Sequence, residues 1–256
     1  MRSFPADVTK AVVALAVTFV AGFVDIVGYL AIYRIFTAHV TGTTVHLGRD
    51  LASRHWAAAA MAGTVVAGFL LGSIVGRAVI EVGARLRFPR VASLNIAAET
   101  ALLIIFVPLS QLLTFSNTAQ KECTLLAFLA LAMGLQTATL TRIGALTIHT
   151  TFVTGMINKL AQLLSHILFY SYDILRAANP EDKVHYQHLR HASARQASFF
   201  FSIWLTYLLG AVLGTLLYFQ IGVRSMYIPA FLLVLTIITD QFRPLSLQEE
   251  RHIPER

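Results

Sequence analysis

Residues 11–48 read AVVALAVTFVAGFVDIVGYLAIYRIFTAHVTGTTVHLG, and their order decides the fold. The first part, 11–33, is an apolar run broken by one charge, Asp25. A hydrocarbon core about 30 Å thick takes roughly 20 residues at about 1.5 Å rise each, so this run is a membrane span. The next stretch is different in character. Residues 36–54 hold His39, Thr41, Thr43, Thr44, His46 and Arg49, too many polar groups for a lipid-facing crossing.

The same contrast runs through all 256 residues, 56% of them hydrophobic and only 13% charged. Soluble domains carry about a quarter charged residues, so a soluble enzyme or a DNA-binding domain is excluded as a first reading. Mean hydropathy is +0.67. The net charge of +7 does not point to nucleic acid, because the 20 Lys and Arg sit in short segments between apolar runs. Cys123 stands alone, which excludes an internal disulfide and a Cys-based metal cluster.

Six segments meet the length test: about 11–33, 56–80, 91–114, 122–142, 198–222 and 225–242. Two stretches, 36–54 and 147–171, begin polar. If both return to their own side, 15 Lys and Arg fall on the amino-terminal face and 5 opposite; if both cross, the division is 13 to 7. The positive-inside rule favours six spans over the eight-span, 4+4 alternative, with both termini cytoplasmic in a bacterial inner membrane. The first run is longer than a signal core and lacks a clear cleavage site, so it reads as a retained span. A soluble insertion is expected at 172–197, with a helix starting at Asn179-Pro180-Glu181-Asp182.

The chain also repeats itself. Val40-Thr41-Gly42 recurs as Val153-Thr154-Gly155; Gly22 and Asp25 parallel Gly134 and Thr137; FLLGSIVG at 69–76 parallels YLLGAVLG at 207–214. Residues 11–114 thus form a first membrane repeat and 119–242 a second, which carries the insertion. Three spans per repeat, an odd number, turn the second copy upside down. The expected fold is all-α: a polytopic bundle of about six transmembrane helices, two re-entrant or broken Val-Thr-Gly helices and two inverted repeats. Such repeats build many transporters, with the site near the midplane.

AGFVDIVGYLAIYRIFTAHVTGTTVHLG at 21–48 and LAMGLQTATLTRIGALTIHTTFVTGMINKLAQ at 131–162 resemble the two hallmark regions of the bacterial DUF1275 (YoaK-like) membrane proteins. The resemblance covers roughly residues 10–242. It implies a small polytopic inner-membrane protein and brings no catalytic residue. One departure is Thr43, where members often carry Asn.

Asp25 lies mid-span, where an ionised carboxylate costs several kcal/mol unless paired. It suits a proton or cation site, or a structural bond to a Thr or backbone group. Its counterparts in the second copy are neutral, Gln136 and Thr137. His39, Thr41, Gly42 and Thr43 open the first Val-Thr-Gly element, where hydroxyls and close backbone could hold an ion or solute. Thr150, Thr151, Thr154, Gly155 and Asn158 do so in the second, and Thr150, Thr154 and Asn158 share one helical face. The same residues also serve as ordinary helix–helix contacts. Glu99, with Asn95 one turn earlier, suits proton coupling or an interhelical bond. Gly68, Gly72, Gly76, Gly210 and Gly214 read as packing. His185, His188 and His191 read as a solvated face in preference to a metal site. No phosphate loop, zinc-protease motif or nucleophile elbow occurs, and no cofactor is implied. The expected function is a permease for a small solute or ion, in contact with lipid. A scaffold or accessory subunit, and an intramembrane enzyme using His39 or His149 as base, are the alternatives. The glycine stripes fit internal packing or a homo-oligomer equally well.

Overall fold

The computed structural model describes residues 8–86, 88, 90–113, 118–139, 142–143, 146–147 and 153–242. Among them are eight α-helices: α1 (Val8–Ala31), α2 (Val40–Ala52), α3 (Trp56–Arg85), α4 (Val91–Leu112), α5 (Thr118–Thr139), α6 (Val153–Arg176), α7 (Pro180–Ile221) and α8 (Tyr227–Phe242). A short antiparallel ladder, Arg142–Ile143 with Leu146–Thr147, comes after α5, and a 3₁₀ turn, Gly222–Met226, links α7 to α8. The protein is an all-α, multi-pass membrane protein. Ala11–Ala31, Trp56–Arg85, Val91–Leu112, Thr118–Thr139 and the stretch Pro180–Phe242 have the length and composition to cross a bilayer. Outward-facing Leu70, Ile74, Ile105, Val212 and Phe231 present the apolar surface that lipid requires.

Neighbouring side chains fix the helix directions. Gly28 meets Leu129 while Gln136 bonds Val17, so α1 and α5 run antiparallel. Gly22 lies against Tyr207 and Ala211, and Tyr218 reaches Leu30, so α7 runs parallel to α1. By the same reasoning α3 runs with α5, and α4 against α3 through Asn95 and Gly76. Ser93 bonds Asp240 where α8 ends, while Phe106 and Ser110 share a cleft with Gly222 and Val223 where it is about to begin. Helices α1, α3, α4, α5, α7 and α8 therefore alternate in direction, giving six crossings.

Helix α2 does not cross. Its 13 residues span only about 20 Å. Tyr33 and Arg34, both left-handed (φ 36° and 51°), reverse the chain after α1 and send residues 35–39 back down beside it. Helix α2 then climbs back along α3, with Leu47 against Gly63. This is a re-entrant arrangement, and it displaces the eight-span alternative. Helix α6 begins inside the bundle too, where Met156 joins a cluster with Ala14, Phe200 and Ile203.

Lipid is as apolar as leucine, so burying apolar area does not draw membrane helices together; close packing does. Two crossings supply it. At one, Gly22 of α1 lies on the Tyr207 carbonyl of α7 and Gly210 on the Phe19 carbonyl; at the other, Gly72 of α3 lies on the Leu131 carbonyl of α5 and Gly134 on the Phe69 carbonyl. The two crossings have the same form: a glycine of each helix lies on a backbone carbonyl of the other. The most buried helix is α1, with Val20, Ala21, Phe23, Val24 and Val27 fully enclosed.

One element differs from expectation. The helix starting at Pro180 does not stop near 197 but runs unbroken for 42 residues into the span. No Gly or Pro falls between 181 and 209 to end it. Asn179 holds the cap position, but its side chain bonds Asp182 Oδ2 (3.1 Å) and no backbone N–H.

A methyl at Gly22 or Gly134 would lie inside contact distance of a facing carbonyl, whereas one at Gly42 or Gly48 would meet nothing within 4 Å. Gly22→Ala and Gly134→Ala should each lower the thermal midpoint of the detergent-purified protein, by roughly 2 kcal/mol or more in stability. Gly48→Ala should leave it unchanged or slightly raise it. Equal effects at all three would contradict the crossings.

Candidate functional site

At the foot of the re-entrant segment, Asp25 is 1% exposed. Its Oδ1 accepts from the backbone N–H groups of Thr37 and Ala38 (2.9 Å each) and from the Thr37 hydroxyl (3.3 Å). Its Oδ2 accepts from the Tyr207 hydroxyl (3.0 Å) and lies 2.6 Å from His39 Nδ1. Carboxylate oxygens accept, so Nδ1 carries the proton in this tautomer. Five donors thus meet one carboxylate. The reason is local: a chain that breaks its helix at this depth leaves N–H groups without water, and Asp25 satisfies two of them. Hydrogen bonds to a charged acceptor are worth about 1.5–3 kcal/mol each.

His39 links this buried knot to the outside. Its side chain is 42% exposed, against 2% for Asp25. Its ring lies 5.1 Å from Phe36, which stacks on Tyr29 at 4.3 Å, and edge-on to Tyr207 at 6.1 Å. Thr43 is buried and donates to the Phe36 carbonyl (3.0 Å), fastening the loop to α2. Thr41 and Gly42 face outward, and no atom lies within 4 Å of where a Gly42 methyl would be, so that glycine leaves open space instead of permitting a close contact.

The second element is arranged differently. Thr154 and Asn158 are exposed and Gly155 half-buried at the start of α6. Thr150, Thr151 and His149 lie outside the described residues. Thr137 bonds back to the Met133 carbonyl (2.8 Å), and buried Gln136 donates to the Val17 carbonyl (2.7 Å). Glu99 is fully buried in α4, and Asn95 donates to the Gly76 carbonyl (2.9 Å). The structure therefore joins Asp25 to His39 and ties Thr43 into the same loop, while Glu99, Asn95 and Gln136 make no hydrogen bond to this knot among the described residues. His188 and His191 line a groove on α7 with Arg195, and no described group of three His, Cys, Asp or Glu is placed to hold a metal.

Several residues escaped the sequence reading. Tyr207 lies 182 positions from Asp25, and no local signal joins them. Asp240 is a fully buried acid in the last span and bonds Ser93. It lies two residues from the end of α8, where the intramembrane cost is smaller than at mid-span, so that cost singles it out less sharply than Asp25. Asp50, buried at 3%, pairs with neighbouring Arg49 (2.7 Å). At the opposite end from Asp240, Lys121, Arg224, Ser110 and Gln111 rim a cleft of about 340 Å³ that reaches Phe106 and Leu125.

Removing the carboxylate strands the Thr37 and Ala38 N–H groups. Asp25→Ala should cost at least about 3 kcal/mol and Tyr207→Phe about 1–2, read as thermal midpoints in one detergent. An Asp25→Ala protein as stable as the parent would show that Asp25 does not hold the loop.

Comparison with known proteins agrees with this architecture. The family described as "Protein of unknown function (DUF1275)" matches residues 13–239. The UPF0700 transmembrane protein YoaK of Bacillus subtilis (strain 168) is 28% identical over 150 residues, which cover 59% of this chain and 65% of that protein. The match thus spans just under two thirds of the relative's length. No solved structure matches. With its match across nearly all the described spans, the chain belongs to the DUF1275 family of transmembrane proteins.

Proposed function

We propose that the chain is a permease for a small solute or ion in the bacterial inner membrane. It is built as two interlocked inverted repeats, 11–114 and 119–242, with the start of α1 and the end of α8 on the cytoplasmic side. The reading rests above all on His39. A half-exposed polar ring, tied to a buried carboxylate at mid-depth, stands where a helix starts inside the membrane. Irregular backbone at such depth is tolerated when packed in protein or lining water, and an exposed His39 favours water. His39, Thr41 and Gly42 would contact the solute from one side, and Thr150, Thr151, Thr154, Gly155 and Asn158 from the other. Asp25, Thr43, Gln136, Thr137 and Glu99 would set the polarity between them. The orientation is set by charge. Arg85, Arg90, Arg176, Lys183, Arg190 and Arg195 cluster towards the end where α1 begins, against Arg34, Arg49, Arg54, Lys121 and Arg224 opposite.

A non-transporting scaffold is the competing reading, and the five donors on Asp25 favour it, because a saturated carboxylate has little left to offer a ligand. Water access separates the two. With Cys123 replaced, single cysteines at Thr41, Gly42, Thr154 and Asn158 should react in intact cells and inverted vesicles with a small membrane-impermeant thiol reagent. Positions 24 and 133 should stay silent. If only loop controls label, those side chains face lipid or protein, and the scaffold reading replaces the permease.

A further inference from the structure

Four buried side-chain atoms meet no hydrogen-bond partner among the described residues: both carboxyl oxygens of Glu99, Asn95 Oδ1 and Gln136 Oε1. All four are acceptors. One N–H of each amide is committed, Asn95 Nδ2 to the Gly76 carbonyl and Gln136 Nε2 to the Val17 carbonyl. Asn95 is one turn before Glu99 on α4. Asn95 and Ala138 both meet Gly76, and α4 and α5 run antiparallel, so Glu99 stands within about a turn of Gln136 along the bundle. The centre of the protein thus collects oxygen acceptors on which no described donor is placed.

An ionised Glu99 would add an uncompensated charge to this set, at 0% exposure and at mid-depth. One added proton changes the balance, since the carboxyl gains a donor in a neighbourhood of acceptors. No other charge stands in for that proton. On the helices around Glu99, the ionisable groups are Arg77, Glu81 and Arg85 of α3, Lys121, Glu122 and Cys123 of α5, Arg224 of the 3₁₀ turn, Tyr227 and Asp240 of α8, and Lys10, Asp25 and Tyr29 of α1. By register most lie toward the bundle ends, Arg77, beside Gly76 and about a turn from Glu99, is exposed, Asp240 is joined to Ser93, and Asp25 is turned to His39 and Tyr207.

We propose that Glu99 is a proton-exchanging site: it holds its proton in the closed arrangement described here and gives it up to water when the bundle opens. The proton leaves as hydronium, and a carboxylate remains. Its part in transport rests on the permease reading. Phe106 lines the cleft rimmed by Lys121 and Arg224, and buried Leu103 lies between Phe106 and Glu99 along α4, so two apolar side chains separate Glu99 from that cleft.

Infrared spectra of the full-length protein in phosphatidylethanolamine–phosphatidylglycerol vesicles test this. At neutral pH the parent should show a protonated-carboxyl carbonyl band that is absent from Glu99→Gln and shifts when the buffer is exchanged for D₂O. Glu99→Gln and Glu99→Met should melt at or above the parent temperature, because no bond is lost. A missing difference band, a band that does not shift in D₂O, or one erased by sodium chloride but not by potassium chloride would overturn the proposal. So would a drop in melting temperature for both variants. A silent cysteine scan beside an exchanging band would remove the permease reading and leave the proton site standing; a labelled pathway with a non-exchanging band would do the reverse.

Discussion

A helix broken inside a bilayer has no solvent to turn to, and that constraint organises this protein. The N–H groups of Thr37 and Ala38 must find an acceptor where there is no water, and Asp25 is that acceptor. The left-handed pair Tyr33 and Arg34, the stacked rings of Tyr29 and Phe36, and the Thr43 bond to Phe36 all act to deliver the loop to the carboxylate. The carboxylate in turn needs a cation or donors, which His39 and Tyr207 provide. Residues in positive φ cost about 1–3 kcal/mol each, and they persist here because the surrounding bonds overdetermine the reversal.

The second organising contact is backbone on backbone. Glycine at 22 and 210, and at 72 and 134, lets helix pairs approach until one carbonyl occupies the space of the other's missing side chain. Each crossing joins an early helix to a late one, α1 with α7 and α3 with α5. The halves are therefore interlocked rather than side by side, and neither half holds both members of a crossing.

Much of this was legible in the sequence, and the reasons differ by feature. Apolar run length gave the spans, because bilayer thickness imposes it on any crossing helix. The threonines and histidines after Tyr33 marked the re-entrant segment, because lipid does not tolerate them. The paired glycine stripes marked the crossings. What stayed hidden was long-range: Tyr207 reaching Asp25, Gln136 reaching Val17, Ser93 reaching Asp240. Each is a hydrogen bond across more than a hundred residues, and nothing local encodes its partner. The length of α7 stayed hidden for another reason. A change from polar to apolar composition near 197 looks like a boundary, yet a helix ends only where its backbone is broken or capped, and nothing there does either.

That continuity has a mechanical meaning. From Pro180 to Tyr207 the helix extends about 40 Å as one stiff rod. Its far end stands beside α6 in a paired arm, and its middle carries the hydroxyl that bonds Asp25. Pivoting on the Gly210 crossing, a tilt of about 3° would carry Pro180 through roughly 2 Å but move the Tyr207 backbone by only about 0.2 Å, so the bond to Asp25 stays made. The Pro180 end of the helix can thus swing widely while the knot, close to the pivot, stays nearly still.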